Sequence, residues 1–199
     1  MNYYISDTHF GHKSVLTFDQ RPFTTLTEME TVLITNWNNK VTNKDTVYIL
    51  GDFCFGKEPE WLKLLNQLKG KKVLIKGNHD LTSMSDSLKN KFQDIKDYKE
   101  IDDTLNNTTV KVILSHYPIP FYKRDYSNKV YHLYGHLHNT LEEMYMQEFK
   151  KIILNTDTRG ISSNKCQFYN CWCGFYDYTP VTLEEILTKW NNTPETNSI

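Results

Sequence analysis

Alanine is absent from these 199 residues, and arginine appears only at Arg21, Arg124 and Arg159. The bias, with its surplus of Lys, Asn, Ile and Tyr, tracks AT-rich codons, so individual asparagines and lysines carry little functional information. Net charge is nearly absent as well: 23 Lys and Arg against 24 Asp and Glu leave −1. That balance excludes a broad, non-specific grip on duplex nucleic acid, leaving a local basic rim at Lys123-Arg124. No apolar run approaches membrane-spanning length, so no membrane partner is expected. A strand pattern starts at Asn2 to Ser6 with neither a basic n-region nor an apolar h-region before it. Cys54, Cys166, Cys171 and Cys173 lack the spacing of a zinc ribbon or a CxxC redox pair, and Cys171-Trp172-Cys173 alternates as a strand does. Reduced core or edge cysteines and a cytoplasmic location are the expectation. Repeats, low-complexity blocks and Gly/Ser linkers are missing too. The length suits a single domain over 1–199 whose core needs no disulfide staples, with 191–199 a frayed polar tail.

Apolar, β-branched runs at Tyr3-Tyr4-Ile5, Val47 to Leu50, Val73-Leu74-Ile75, Val110 to Leu114, Val130 to Tyr134 and Ile152-Ile153-Leu154 predict buried strands. Between the early ones, Met29, Leu33, Ile34 and Trp37 share one helical face behind a Thr27-x-x-Glu30 capping box. Trp61, Leu64, Leu65 and Leu68 repeat that pattern behind Pro59. The first half is therefore β-α-β-α-β with parallel strands. After Val110 the strands follow one another through the aromatic tract Lys165 to Tyr178, which implies a second sheet. A last helix, Leu183 to Trp190, follows Pro180 with Thr182 as its cap and Glu184-Glu185 in its first turn. The predicted class is α/β.

Five polar blocks each follow an apolar run: Asp7-Thr8-His9, Gly51-Asp52, Gly77-Asn78-His79-Asp80, Ser115-His116 and Gly135-His136-Leu137-His138. Carboxylate, imidazole and amide oxygen ligate borderline and hard divalent cations, and two adjacent cations can clamp both ends of a phosphoryl displacement. In α/β sheets ligands gather at the carboxyl ends of strands, where all five blocks fall. Zincin and two-cysteine zinc patterns are missing. The long loops Phe10 to Thr27 and Tyr117 to Lys129 leave directly from ligand-bearing strand ends and are expected to shape a cleft.

The order Asp-x-His, Gly-Asp, Gly-Asn-His-Asp, His, Gly-His-x-His resembles the calcineurin-like metallophosphoesterase superfamily over essentially the whole chain. The strings Ser6 to His12, Gln20-Arg21-Pro22-Phe23 and Leu50-Gly51-Asp52-Phe53 resemble its small, stand-alone members. The resemblance implies two packed mixed β-sheets flanked by helices, and a dinuclear metal-dependent phosphoric ester hydrolase. It implies that Asp7, His9 and His138 hold one metal, Asn78, His116 and His136 the other, and that Asp52 bridges them. Manganese is the first choice, with Fe, Zn, Co or Ni as alternatives. A metal-bridging hydroxide would attack phosphorus, His79 would steady the phosphate or protonate the leaving oxygen, and Asp80 would orient the His79 ring. In His136-Leu137-His138 the backbone must already be turning out of the strand, which Gly135 permits.

His12 and Arg21 form a second tier that could contact a substrate phosphate. For Arg21 a loop-pinning salt bridge is the alternative. His132, in mid-strand, reads as structural. The aromatics Tyr117, Phe121, Tyr122 and Tyr126 could stack a nucleobase, with packing of a long loop as the other reading. The expected activity is a phosphodiesterase acting on a nucleotide-type phosphoester, such as a nucleotide or cyclic nucleotide. A phosphomonoesterase or protein phosphatase, or a non-catalytic metal-site scaffold that binds protein, are the alternatives. A double-strand-break-type nuclease would carry further capping or coiled-coil regions.

Overall fold

A computed structural model describes residues 1–155 and 166–192. In chain order they form β1 (Asn2–Ile5), α1 (Val15–Phe18), α2 (Leu26–Lys40), β2 (Thr46–Ile49), α3 (Glu58–Leu65), β3 (Lys71–Ile75), α4 (Asp86–Lys89) and β4 (Asp94–Lys96). There follow β5 (Tyr98–Leu105), β6 (Thr108–Ser115), β7 (Val130–Tyr134), α5 (Leu141–Asn155), β8 (Phe168–Asn170) and α6 (Leu183–Asn192). β1-β2-β3-β4 make one sheet and β5-β6-β7-β8 a second. The first is parallel throughout, and only the second is mixed, because β5 runs antiparallel to β6 while β6, β7 and β8 are parallel. The expectation of two mixed sheets is corrected to that extent: helical crossovers fill the first half and enforce parallel pairing, whereas a tight turn links β5 to β6.

Three apolar layers hold these elements. Tyr3, Ile5, Val47, Ile49 and Leu74 face Met29, Leu33 and Trp37 of α2 and Trp61, Leu64 and Leu65 of α3. Tyr4, Leu50, Val73 and Ile75 face the other way, onto Val112, Leu114, Leu133 and Tyr169 of the second sheet. Ile113, Tyr134 and Phe168 look outward again, onto Met146, Phe149 and Ile153 of α5. Successive strand residues thus feed opposite layers, and the order is helix, sheet, sheet, helix. Each fully buried Leu or Ile adds roughly 1.5–3 kcal/mol to this packing.

Three local expectations change. Ile152-Ile153-Leu154 belongs to α5 rather than to a strand. Met146, Phe149 and Ile153 recur at helical spacing onto the outer core, while Ile152 and Leu154 are exposed. A three-residue apolar run is too short to distinguish the two periods. The cap of α2 is Thr25, whose hydroxyl accepts from Glu28 N at 3.1 Å, not Thr27; Glu30 instead accepts from Gly11 N at 2.8 Å. α6 extends to Asn192, past the expected Trp190 and into the start of the predicted tail; 193–199 and Lys165 lie outside the described residues. Its capping box is present: Glu185 N donates to the Thr182 hydroxyl at 3.3 Å, and Thr182 N to the Glu185 carboxylate at 2.8 Å. No described helix is long and apolar enough to cross a membrane.

Candidate metal centre

All five polar blocks leave the carboxyl ends of strands: Asp7 and His9 follow β1, Asp52 follows β2, Asn78 and His79 follow β3, His116 follows β6, and His136 and His138 follow β7. Three ends come from one sheet and two from the other. The sheets meet at the blocks because Ser6 bridges them, donating to Cys171 O at 3.0 Å and accepting from Cys173 N at 3.1 Å. Side chains from strands distant in sequence therefore converge in two groups, Asp7 with His9 and His138, and Asp52 with His116 and His136. Within each, the potential ligand atoms lie within 4.8 Å of one another. Asp52 faces both groups: Oδ2 lies 3.7 Å from His9 Nε2 and Oδ1 lies 3.6 Å from His116 Nε2. Asn78 Oδ1 is 3.0 Å from His116 Nε2, which adds an amide oxygen to the second group.

The backbone here is unusual. Asp7, His9, Asp52, His136 and His138 all have φ between 48° and 71°. Non-glycine residues enter that left-handed region uncommonly and at a cost, and such residues cluster where surrounding structure over-determines them. Each turn swings a side chain out of the strand plane, which is how His136 and His138 reach different groups. Gly135 contributes by a different route than the expected backbone freedom. Its φ is ordinary, but a Cβ there would lie 2.5 Å from Asp7 Oδ2. Its bareness lets His136 N approach Asp7, donating to both carboxylate oxygens at 3.1 Å.

Donor chemistry is the test of whether these residues fit metal ions. His138 Nδ1 hydrogen-bonds Asp19 Oδ1 at 2.6 Å, His116 Nδ1 donates to Leu50 O at 2.8 Å, and His9 Nδ1 meets His12 Nδ1 at 3.2 Å. In all three imidazoles the outer nitrogen is engaged, and the inner Nε2 is turned toward the carboxylates. A ring fixed in this way presents its inner lone pair to a cation, as metal-ligating histidines do. The donor set therefore fits divalent ions in both groups.

Electrostatics differ among the rings. Burial opposes a proton on His138, but its hydrogen bonds to Asp19 and Asp7 outweigh that and raise the pKa to about 9. Burial pushes His9 down to about 3. Burial also works against the Asp7 carboxylate, yet the His138 hydrogen bond and the nearby imidazoles hold it well below the usual range.

Four further predicted residues occupy distinct places. His79 is exposed beside the two groups, its ring 5.6 Å from that of His9 and its backbone N donating to Asp52 Oδ1 at 2.9 Å. Asp80 is buried and does not hold the His79 ring. Its oxygens accept from Asp52 N at 3.0 Å, Phe53 N at 2.8 Å and Gly77 N at 2.8 Å, which buckles the β2 and β3 loops together. Burial raises its pKa to about 6. Arg21 is turned inward, donating to Thr8 O at 2.9 Å, Asp7 O at 2.7 Å and the Asp19 carboxylate at 2.9 Å. Those contacts are the loop pin of the alternative reading. His12, half-buried, touches His9 and stacks on Phe55 at 4.3 Å.

His132 is buried as a structural residue, with Nδ1 donating to Ile113 O at 3.2 Å and Nε2 accepting from Ile119 N at 3.0 Å. Tyr122 is buried too and follows the loop-packing reading, while Phe121 is exposed and touches Phe149 at 5.7 Å, away from the site. Tyr117 alone of that cluster contacts the site, 4.5 Å from the His136 ring. Three supports escaped the sequence reading. Asp19 sits between Arg21 and His138; buried Asn170 donates to His138 O at 2.9 Å and to the Glu143 carboxylate at 2.9 Å. Asp19 left a faint signal, standing two residues from Arg21 in a ligand-side loop, whereas Glu143 and Asn170 left none.

Comparison with known proteins supplies the family. A solved structure of a protein of unknown function from Aquifex aeolicus superposes with a TM-score of 0.59 at 28% identity, covering 94% of this chain and 98% of that one. An uncharacterized protein of Methanocaldococcus jannaschii is 48% identical over 80 residues, 39% of this chain and 46% of that protein. The gene 66 protein of Mycobacterium phage L5 is 33% identical over 81 residues, 39% of each chain. The chain thus spans less than half the length of these curated relatives. The model of the calcineurin-like phosphoesterases matches residues 3–187, nearly the whole chain and all five blocks, and the chain belongs to that family.

Proposed function

We propose that the protein is a dinuclear metal-dependent phosphodiesterase acting on a nucleotide-type phosphoester. The observation that carries this reading is the convergence of two ligand groups on Asp52, whose two oxygens face one group each. Asp7, His9 and His138 would hold one divalent ion, Asn78, His116 and His136 the other, and Asp52 both, since a carboxylate can serve two cations and offset their repulsion. When bound, such a pair supplies Lewis acidity toward phosphoryl oxygens and a nucleophilic water whose pKa is lowered toward neutrality. Manganese is our first choice of metal, because mixed oxygen and imidazole donors suit it.

The chain's own residues do the remainder. Asp19, Leu50 O and His12 fix the outer nitrogens of His138, His116 and His9, so the inner nitrogens need no reorganisation when ions bind. His79, held by its backbone against Asp52 and exposed at the mouth, presents its ring to the phosphoester and donates a proton to the departing oxygen. Asp80 acts through the backbone of Asp52, Phe53 and Gly77, setting the distance between the β2 and β3 loops. Arg21 pins the ligand loop from behind, and His12 steadies the outer nitrogen of His9. With the Arg21 guanidinium turned inward, a singly charged diester is favoured over a doubly charged monoester. All four cysteines are buried, and Cys54, Cys171 and Cys173 are free thiols, in keeping with a cytoplasmic protein.

The test is hydrolysis of bis-p-nitrophenyl phosphate by protein reconstituted with manganese. Activity abolished by chelation and restored by metal is expected. A fully metallated protein that turns over p-nitrophenyl phosphate but no diester would contradict the diester assignment.

A further inference from the structure

Large aromatic side chains are usually withdrawn from water, yet three stand exposed around this site: Phe18 at 56%, Phe55 at 50% and Tyr117 at 50%. Their placement is two-sided. Phe18 lies beside the first ligand group, its ring 6.4 Å from His9 and 6.3 Å from His138. Phe55 stands on the same side, stacked on His12 at 4.3 Å and 6.2 Å from His79. Tyr117 lies beside the second group, 4.5 Å from His136 and 5.0 Å from His116, with its hydroxyl 3.5 Å from Asn78 Oδ1. Local packing does not explain them, since each leaves half of its surface to water at the mouth, whereas Tyr122 of the Tyr117 loop is buried in the outer core.

Resting on the phosphodiesterase reading, we propose that these rings form a two-armed subsite for a phosphodiester that carries a nucleobase, one arm over the Phe18–Phe55 wall and the other against Tyr117. A phosphate held between the two ligand groups has ring surface within about one side-chain length on either side. A diester has two organic arms to place there, and a monoester has one. Flat heteroaromatic rings match such surfaces because aromatic faces and edges attract in stacked or edge-on geometry, and every base offers a π-face. The Phe55–His12 stack is already a ring platform, on which a base would extend the column. Of the base-bearing diesters, a dinucleotide or the end of a single strand has both arms free, whereas a duplex keeps its bases stacked internally, which agrees with the near-neutral charge.

The experiment compares two diesters with the same leaving group, thymidine 5′-(p-nitrophenyl phosphate) and methyl p-nitrophenyl phosphate, on manganese-loaded protein. Wild type, the double variant F18A/F55A, Tyr117→Ala and a distant control, Tyr145→Ser on the exposed face of α5, are assayed. Wild type should show a lower KM for the thymidine diester. F18A/F55A or Tyr117→Ala should raise that KM about 5- to 150-fold relative to its effect on the methyl diester, the loss expected for one stacked base, and the control should move neither. Calorimetric titration with thymidine 5′-monophosphate provides a readout without turnover and should weaken in at least one of the two variants. Equal KM changes on both diesters, or no wild-type preference, overturn the subsite while leaving the phosphodiesterase reading standing. Failure of the metal-loaded wild type to hydrolyse either diester overturns both.

Discussion

Around Asp7, His9 and His138 the protein builds supports several side chains deep, whereas the group around Asp52, Asn78, His116 and His136 is closed on one side only. On the first side Arg21 holds Asp19, Asp19 holds His138, and Asn170 with Glu143 and Tyr134 holds the His138 carbonyl from behind. On the second, His116 is buried and tied to Leu50 O, but His136 is half-buried and Asn78 is exposed. Depth of support governs how much a site must reorganise when a ligand arrives. The first group is preorganised at the cost of buried polar groups that all need partners. The second keeps Asn78 and His136 open at the mouth, where a substrate can reach them. We expect the first group to bind metal more tightly and the second to be where substrate contact and exchange occur.

The largest effect should come from removing the residue that joins the halves. Asp52→Asn should lower kcat/KM by about 10⁴-fold or more, since one charge is lost to both groups. Retention of two metals with near-normal turnover would reassign the bridge. Next, His79→Ala should keep both metals yet lower kcat roughly 10²–10⁴-fold. The loss should be smaller for p-nitrophenyl diesters than for alkyl diesters, because a good leaving group needs little protonation. Loss of a metal in this variant would make His79 a ligand and overturn the assignment.

Stability should respond to a histidine outside both halves. Burial pushes the His132 pKa down to about 4, below the ordinary value of 6.5. Protonation therefore favours the unfolded chain: the neutral ring's contribution is complete above about pH 6.5 and is lost as pH falls toward 4, on the order of 3 kcal/mol in all. Denaturant melts of the metal-free protein across that window should show a steeper loss than melts of His132→Gln, and identical slopes would refute it. The smallest of these effects isolates the support of the first group. Asp19→Asn should weaken metal binding there about 10- to 100-fold and leave the second group's affinity within experimental error. An equal loss at both groups would erase the contrast drawn above.

Much of this was legible in the sequence because it is local. Strands end in polar blocks, and continuous apolar, β-branched runs mark β1, β2, β3, β6 and β7. β5 was not, because its exposed face carries Glu100 and Asp102 and only the pair Asn106-Asn107, both with positive φ, announces its hairpin with β6. The supports behind the ligands were illegible for a different reason. Whether Arg21 looks outward to a phosphate or inward to Asp7 O is decided by how two loops pack, and no spacing in the chain records it. Asp80 is the same case: an acid beside a histidine reads as its partner, yet three backbone amides from the loops after β2 and β3 claim it.

The most direct measurement is a metal titration of the stripped protein, followed by calorimetry and checked by elemental analysis of the product. The account predicts two divalent ions per chain in two resolved steps, the tighter one weakened in Asp19→Asn and both weakened in Asp52→Asn. A single ion per chain, or none, would contradict it.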